Sequence, residues 1–337
     1  VENSVSATRT LNVSGLKNSN MYGASKDYVS FQNKYLALMK RKRVNSYIMA
    51  VNKGAVRVQT ANGVAKKGVN WSGKTQFRVA SLQKLLTIDL VLQLNNSNKL
   101  ALTDTIGKLI PELKNSKISD VSVNSLLTNN KNIYASKKIV INKDYYDLLA
   151  QFKLKKNLFE QGTDSLNINY LLLAMIIQRV SGERYIDFAQ KQVLLKNGMN
   201  QTSFVSTDEI NAQLAIPYHR DGSSVDYNNP YDNSDFVFGL DDLCMSTTNM
   251  YVLLDKSVDK YADSKLRATF DTAYKKIYGP TSIRNGVYVA SNKNQGYESY
   301  LIVQHLNNTG LVYNITSKPD SYNAKKAAES YYSNLGD

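Results

Sequence analysis

The chain has 337 residues, of which 42% are hydrophobic and 21% charged, and it carries a formal net charge of +14. That balance excludes a disordered chain and supports one large domain or two intimately joined ones, with a basic surface suited to an anionic partner. The lone cysteine, Cys244, excludes an internal disulfide, and no apolar run approaches the ~20 residues needed to span a membrane.

Residues 1–24 are polar and rich in Ser and Asn, and read as a flexible N-terminal linker. The chain opens on Val1 rather than Met, which fits a removed signal or membrane anchor. From Ser25 to Arg43, Tyr28, Phe31, Tyr35, Leu36 and Met39 recur at helical spacing, with Ser25 as cap and the basic block Lys40 to Arg43 as a solvated end. "SYIMAVNKGAVRVQTANG" then alternates as two strands around Asn52-Lys53-Gly54, a hairpin signal. A helix begins near Ser81 and runs to about Asn95. The middle of the chain is mostly helical. Its clearest element is Ile168 to Gly182, with Leu172, Met175, Ile176 and Arg179 on one face and Gly182 as terminator, followed by a second helix over Arg184 to Gly198. The last third changes period: "NGVYVASN", "YESYLIVQHL" and "GLVYNITS" read as consecutive strands, with the last turn at Asn307 to Gly310, and a helix closes the chain. The predicted fold is α/β of the α+β kind. An antiparallel sheet is built from both ends, about 25–80 and 250–337, and flanked by the terminal helices, with a mostly helical part, about 81–249, inserted between. A cleft between the two parts is the expected place for a site.

Ser81 stands three residues before Lys84 at the head of an apolar helix. A serine hydroxyl is a poor nucleophile until a base takes its proton, and residues three apart share a helix face. The N–H groups and positive dipole end of a helix start also favour an oxyanion. A partly desolvated lysine loses proton affinity and can serve as the base. The same spacing recurs at Ser14 and Lys17 and at Ser257 and Lys260, where a helix cap with a surface lysine suffices. Context sets Ser81 apart: Leu85, Leu86, Ile88, Leu90, Val91 and Leu94 make its helix apolar on several faces, hence buried. A lysine in the first turn of a buried helix needs a reason. Other chemistry finds little support. His219 and His305 read as structural, Asp241-Asp242 as a turn or cap, and Cys244 as a small apolar residue. No cluster has metal-ligand spacing, no glycine-rich phosphate loop occurs and no nucleic-acid motif is present, so no cofactor, metal or nucleic acid is expected.

The stretch "FRVASLQKLLTIDLVLQLNNSNKLALTDTIGKLIPEL" resembles the nucleophile region of the penicillin-recognising serine enzymes, the branch of class C β-lactamases, D,D-carboxypeptidases and D-alanyl esterases. "VSVNSLLTNN", "NINYLLLAMIIQRVSGERYIDFAQKQVLLKNGMNQTSF", "AIPYHRDG" and "GLDDLCMSTTNM" follow in the family's order, so the resemblance covers about 60 to 310. It implies a β-lactamase-like fold, Ser81 as acylated nucleophile, Lys84 as its base and the Ser81 N–H as one oxyanion donor. At the second motif the branch has Tyr-x-Asn; here Ser165 and Asn167 stand in a Ser-x-Asn version, implying proton relay by Ser165 and binding by Asn167. A literal "YSN" at Tyr332 to Asn334 falls in the closing helix. The third motif, Lys-Thr-Gly or His-x-Gly, falls on Ala290-Ser291-Asn292, without cation or glycine. Ser291, Asn292 and Lys293 are the implied substrate-binding residues, with the Lys293 N–H as second oxyanion donor. Losing that cation argues against a substrate with a free carboxylate and for a D-alanyl ester on an anionic wall polymer such as teichoic acid. The implied function is that of an extracellular, cell-surface serine acyl hydrolase acting on D-alanyl groups, of D-alanyl esterase or D,D-carboxypeptidase type. The rival is a catalytically silent module that binds anionic cell-wall polymer or a partner protein.

Overall fold

The computed structural model of the chain describes residues 26–136, 165–204, 212–219, 221–224, 242–294 and 296–335; the linker expected over 1–24 lies outside them. Helix α1 (Lys26–Lys42) ends in Lys40, Arg41 and Lys42, and β1 (Asn45–Asn52) and β2 (Ala55–Asn62) follow as a hairpin. Lys53 and Gly54 both have positive φ, 51° and 76°, which a two-residue turn needs to match the strands' right-handed twist. Along β1 the side chains alternate. Ile48 and Ala50 join Tyr35 and Met39 of α1 in one core, while Met49 and Val51 enter the larger core on the opposite face.

Strand β3 (Gln76–Arg78) leads into α2 (Leu82–Asn96), which is buried around its whole circumference. Strands β4 (Tyr134–Ser136) and β5 (Ser165–Asn167) pair antiparallel, and α3 (Asn169–Ser181) runs beside α2 and stops at Gly182, whose φ of 72° suits a glycine. The segment predicted as one helix over 184–198 departs from expectation: it is α-helical from Tyr185 to Ala189, widens into a π turn at Gln190–Leu194 and tightens to a 3-10 turn at Leu195–Asn197. Strands β6 (Thr202–Phe204) and β7 (Leu243–Ser246) complete a small antiparallel sheet with β3, in the order β3–β7–β6. Helices α4 (Thr247–Ala262) and α5 (Arg267–Tyr278) precede β8 (Ile283–Arg284), β9 (Val287–Asn294), β10 (Tyr297–Gln304), β11 (Thr309–Ser317) and the closing helix α6 (Ala324–Ser333).

The main sheet has the order β8–β9–β10–β11–β1–β2 and is antiparallel throughout, so the first strand of the chain lies against the last, with Met49 opposite Val312. Helices α1 and α6 cover one face, and α4 and α2 belong to the core on the other. The last hairpin turn lies two residues earlier than expected, over residues 305–308, and Gly310 belongs to β11. A Cβ on Gly310 would meet the Ile302 carbonyl oxygen at 2.0 Å, so glycine is needed there for strand approach and not for a turn.

Candidate active site

The local chain path explains where Ser81 sits. β3 is pinned by its pairing with β7, and the chain then turns sharply through Val79 and Ala80 into α2. Ala80 has a φ of 33°, unusual for a residue with a Cβ, and such strain persists only where the surroundings enforce it. One anchor is Gln83, wholly buried. Its amide donates to Asp242 Oδ1 at 2.6 Å and accepts from the N–H groups of Asp242 (3.0 Å) and Leu243 (3.3 Å), tying the first turn of α2 to the entry of β7. That first turn is tight. The N–H groups of Leu82, Gln83 and Lys84 are taken by the carbonyls of Val79, Ala80 and Ser81. The several free amides expected at a helix start thus reduce to one: the Ser81 N–H has no acceptor among the described residues.

The Ser81 hydroxyl is half-buried and donates to the carbonyl of Ser291 on β9 at 3.2 Å. The direction of that strand's backbone follows from one bond: the Val289 N–H points away from β10, to the Ser282 carbonyl at 2.8 Å. Backbone groups of an antiparallel strand alternate sides, and β9 pairs with β10 in unbroken register, so the N–H groups of Ser291 and Lys293 also point away from β10. The Lys293 N–H therefore lies on the same strand edge as the carbonyl that Ser81 touches. Lys84, one turn into α2, is half-buried and holds its ammonium 5.4 Å from the centroid of the Tyr170 ring. Tyr170 is fully buried, gives its hydroxyl to the Leu127 carbonyl at 2.8 Å, and has a pKa raised by that burial.

The remaining predicted residues divide. Ser165 lies on β5 opposite Ser136; its side chain lies outside the described part. Asn167 is engaged within the protein. Its amide nitrogen donates to Asn132 Oδ1 at 3.1 Å, and its oxygen accepts the N–H of Asn169 at 3.0 Å, at the start of α3. Asn292 is buried and donates to the Arg78 carbonyl at 3.3 Å, bracing β9 against the strand that leads to Ser81. The Lys293 side chain is exposed and lines a 570 Å³ groove with Tyr218, His219, Glu298, Lys318 and Asp320. The structure thus sets Ser81 against the Ser291–Lys293 edge, with Lys84 one turn along the same helix beside Tyr170, and gives the Asn167 and Asn292 amides bonds within the protein. Sequence reasoning passed over Gln83, Tyr170 and Tyr278, whose hydroxyl is buried beside that of Ser81. Tyr170 carried a signal, three residues past Asn167 within "NINY". Tyr278, nearly two hundred residues from Ser81, carried none.

A family model described as beta-lactamase matches residues 31–331. The "Putative penicillin-binding protein PbpX" of Bacillus subtilis (strain 168) is 27% identical over 269 residues, covering 74% of this chain and 66% of that protein. The teichoic acid D-alanine hydrolase of Staphylococcus aureus is 26% identical over 200 residues, covering 56% of this chain and 47% of that protein. The chain therefore spans between about half and two thirds of the length of these curated relatives. Among solved structures, FmtA from Staphylococcus aureus shares the fold with a TM-score of 0.70 at 18% identity, covering 96% of this chain and 91% of that one.

Proposed function

The chain belongs to the beta-lactamase family of serine hydrolases, and from that premise we propose that it is a cell-envelope serine acyl hydrolase that removes D-alanyl groups through an acyl-enzyme on Ser81. The observation that carries this reading is the seat of the Ser81 hydroxyl: on a strained turn at the head of a buried helix, against the edge of β9. In the proposed sequence the Lys84 amine takes the Ser81 proton and Oγ attacks the acyl carbonyl. The oxyanion accepts from the N–H groups of Ser81 and Lys293, and the proton returns, with Ser165 as relay, to the departing oxygen. Water then cleaves the ester to release the acyl group. The amides act without rearrangement because the helix start and the strand edge already hold them.

For the substrate, an ester of D-alanine on an anionic wall polymer such as teichoic acid is favoured over a peptide. At the third motif Ala290 is buried, so no side chain there offers a cation to a substrate carboxylate. The net charge of +14 suits a polyphosphate chain, and one relative is named for D-alanine hydrolysis on teichoic acid. Such a substrate lies outside the cytoplasm, which makes the surface of the cell the proposed location. A second reading, a catalytically silent wall-binding module, is favoured by one observation: the Asn167 and Asn292 amides are engaged inside the protein. Intact-mass measurement after a fluorophosphonate or β-lactam probe decides between them. Catalysis requires an adduct that Ser81→Ala loses, and failure of both probes establishes the silent reading. D-alanine release from alanylated teichoic acid and from a D-alanyl-D-alanine peptide then fixes the substrate; release from the peptide alone overturns the ester.

A further inference from the structure

The last residue of α5, Tyr278, directs its hydroxyl into the protein beside Ser81, where it is sealed from solvent yet makes no formed hydrogen bond among the described residues. Buried hydroxyls are normally partnered, so an unpartnered one directly beside the Ser81 hydroxyl calls for an explanation. The ring is held firmly. It packs on Tyr274 with 4.8 Å between centroids, and Tyr274 in turn meets Tyr288 of β9 edge to face at 5.3 Å. Ser81 spends its own proton on the Ser291 carbonyl, which leaves the lone pairs of its Oγ open toward a donor.

We propose that Tyr278 is a further catalytic residue, whose O–H donates to Ser81 Oγ as negative charge develops there. The inference rests on the acyl-enzyme reading of Ser81. Burial raises the phenol's pKa far above its ordinary value, with the Ser81 hydroxyl opposing only in part. Tyr278 is therefore a neutral donor and not a base, so Lys84 keeps that role. During acylation the Ser81 proton passes to the Lys84 amine and then to the departing alcohol oxygen. The bond from Oγ to the acyl carbon forms, the bond to the leaving oxygen breaks, and the phenol proton stays on its own oxygen. In deacylation the attacking water gives its proton to Lys84, Oγ departs with the electron pair, and the same O–H holds it until Lys84 returns the proton.

Tyr278→Phe removes only the hydroxyl. Tyr274→Phe is its control: another buried hydroxyl with no hydrogen-bond partner among the described residues, one turn back along α5. The rate of fluorophosphonate labelling and the thermal midpoint are measured on the full chain. Tyr278→Phe is expected to label about tenfold to a hundredfold more slowly, the scale of one lost donor to developing charge, with its midpoint unchanged or raised; Tyr274→Phe labels at the parent rate. Labelling of Tyr278→Phe at the parent rate overturns the proposal. So does slowing matched by Tyr274→Phe, or slowing that only follows a fall in the midpoint. If the parent chain forms no adduct that Ser81→Ala abolishes, the acyl-enzyme reading itself has failed, a result distinct from each of these.

Discussion

Gln83 lies between Ser81 and Lys84 in sequence but bonds to the entry of β7, and replacing it measures what holds the Ser81 turn. Its side chain makes three bonds, at 2.6, 3.0 and 3.3 Å, with no exposure to solvent. Gln83→Leu keeps the volume and strips all three, leaving two backbone donors and one carboxylate oxygen without that partner. At about 1 kcal/mol for each backbone group and up to about 3 for the charge-assisted bond, the sum is about 3–5 kcal/mol. Asp242 retains another contact, which places the expected loss near 3 kcal/mol in urea unfolding. A loss below about 1 kcal/mol would refute the clamp. Gln83→Glu adds a pH signature. Two carboxyl groups would then face each other across the 2.6 Å contact and share one proton. The folded chain would hold a proton that the unfolded chain releases above about pH 4, so the pair's folded pKa is raised. Stability is then fully present below the unfolded carboxyl pKa and declines as pH rises through the folded one. Stability of Gln83→Glu that climbs from about pH 5 to about pH 8 relative to the parent would contradict the geometry.

Two further outcomes are expected. Asn292→Ala removes the bond to the Arg78 carbonyl and lowers stability by about 1 kcal/mol, while KM for an ester substrate changes by less than about twofold; a KM rise of about tenfold would instead make Asn292 a ligand group. Burial raises the pKa of many tyrosines, among them Tyr35, Tyr47, Tyr185, Tyr251, Tyr274 and Tyr313. The folded chain keeps those protons where the unfolded chain loses them, so stability falls as pH rises past about 10. Phenolate absorbance should appear together with loss of circular dichroism, and full titration of all tyrosines in a still-folded chain would refute this.

How much of this was readable before the structure depended on range. The Lys53-Gly54 turn, the all-round apolar helix after Ser81 and the Gly182 terminator are set by residues within one or two turns of each other, and they stand where local chemistry placed them. The pairing of sheet strands from opposite ends was legible because each strand carried its own alternation. The small sheet of β3, β7 and β6 was not, since strands of three and four residues are too short to show a period. The site divides along the same line. Ser81 and Lys84 are neighbours in sequence, and their motif announced them. Whether an asparagine amide faces a ligand or its own chain depends on side-chain direction, which spacing does not encode, so spacing alone does not show the bonds that Asn167 and Asn292 make to Asn132 and Arg78.

The contact between Ser81 and Ser291 joins residues 210 apart in the chain. At about 5–20 residues per second on a ribosome, roughly ten to forty seconds separate the synthesis of the two halves. The strand beside Ser291, β10, pairs in turn with β11, which must thread between β10 and β1. A nascent or C-terminally clipped chain therefore owns a serine with no wall to work against. The wall beside Ser81 is thus complete only once residues well beyond Ser291 have joined the sheet.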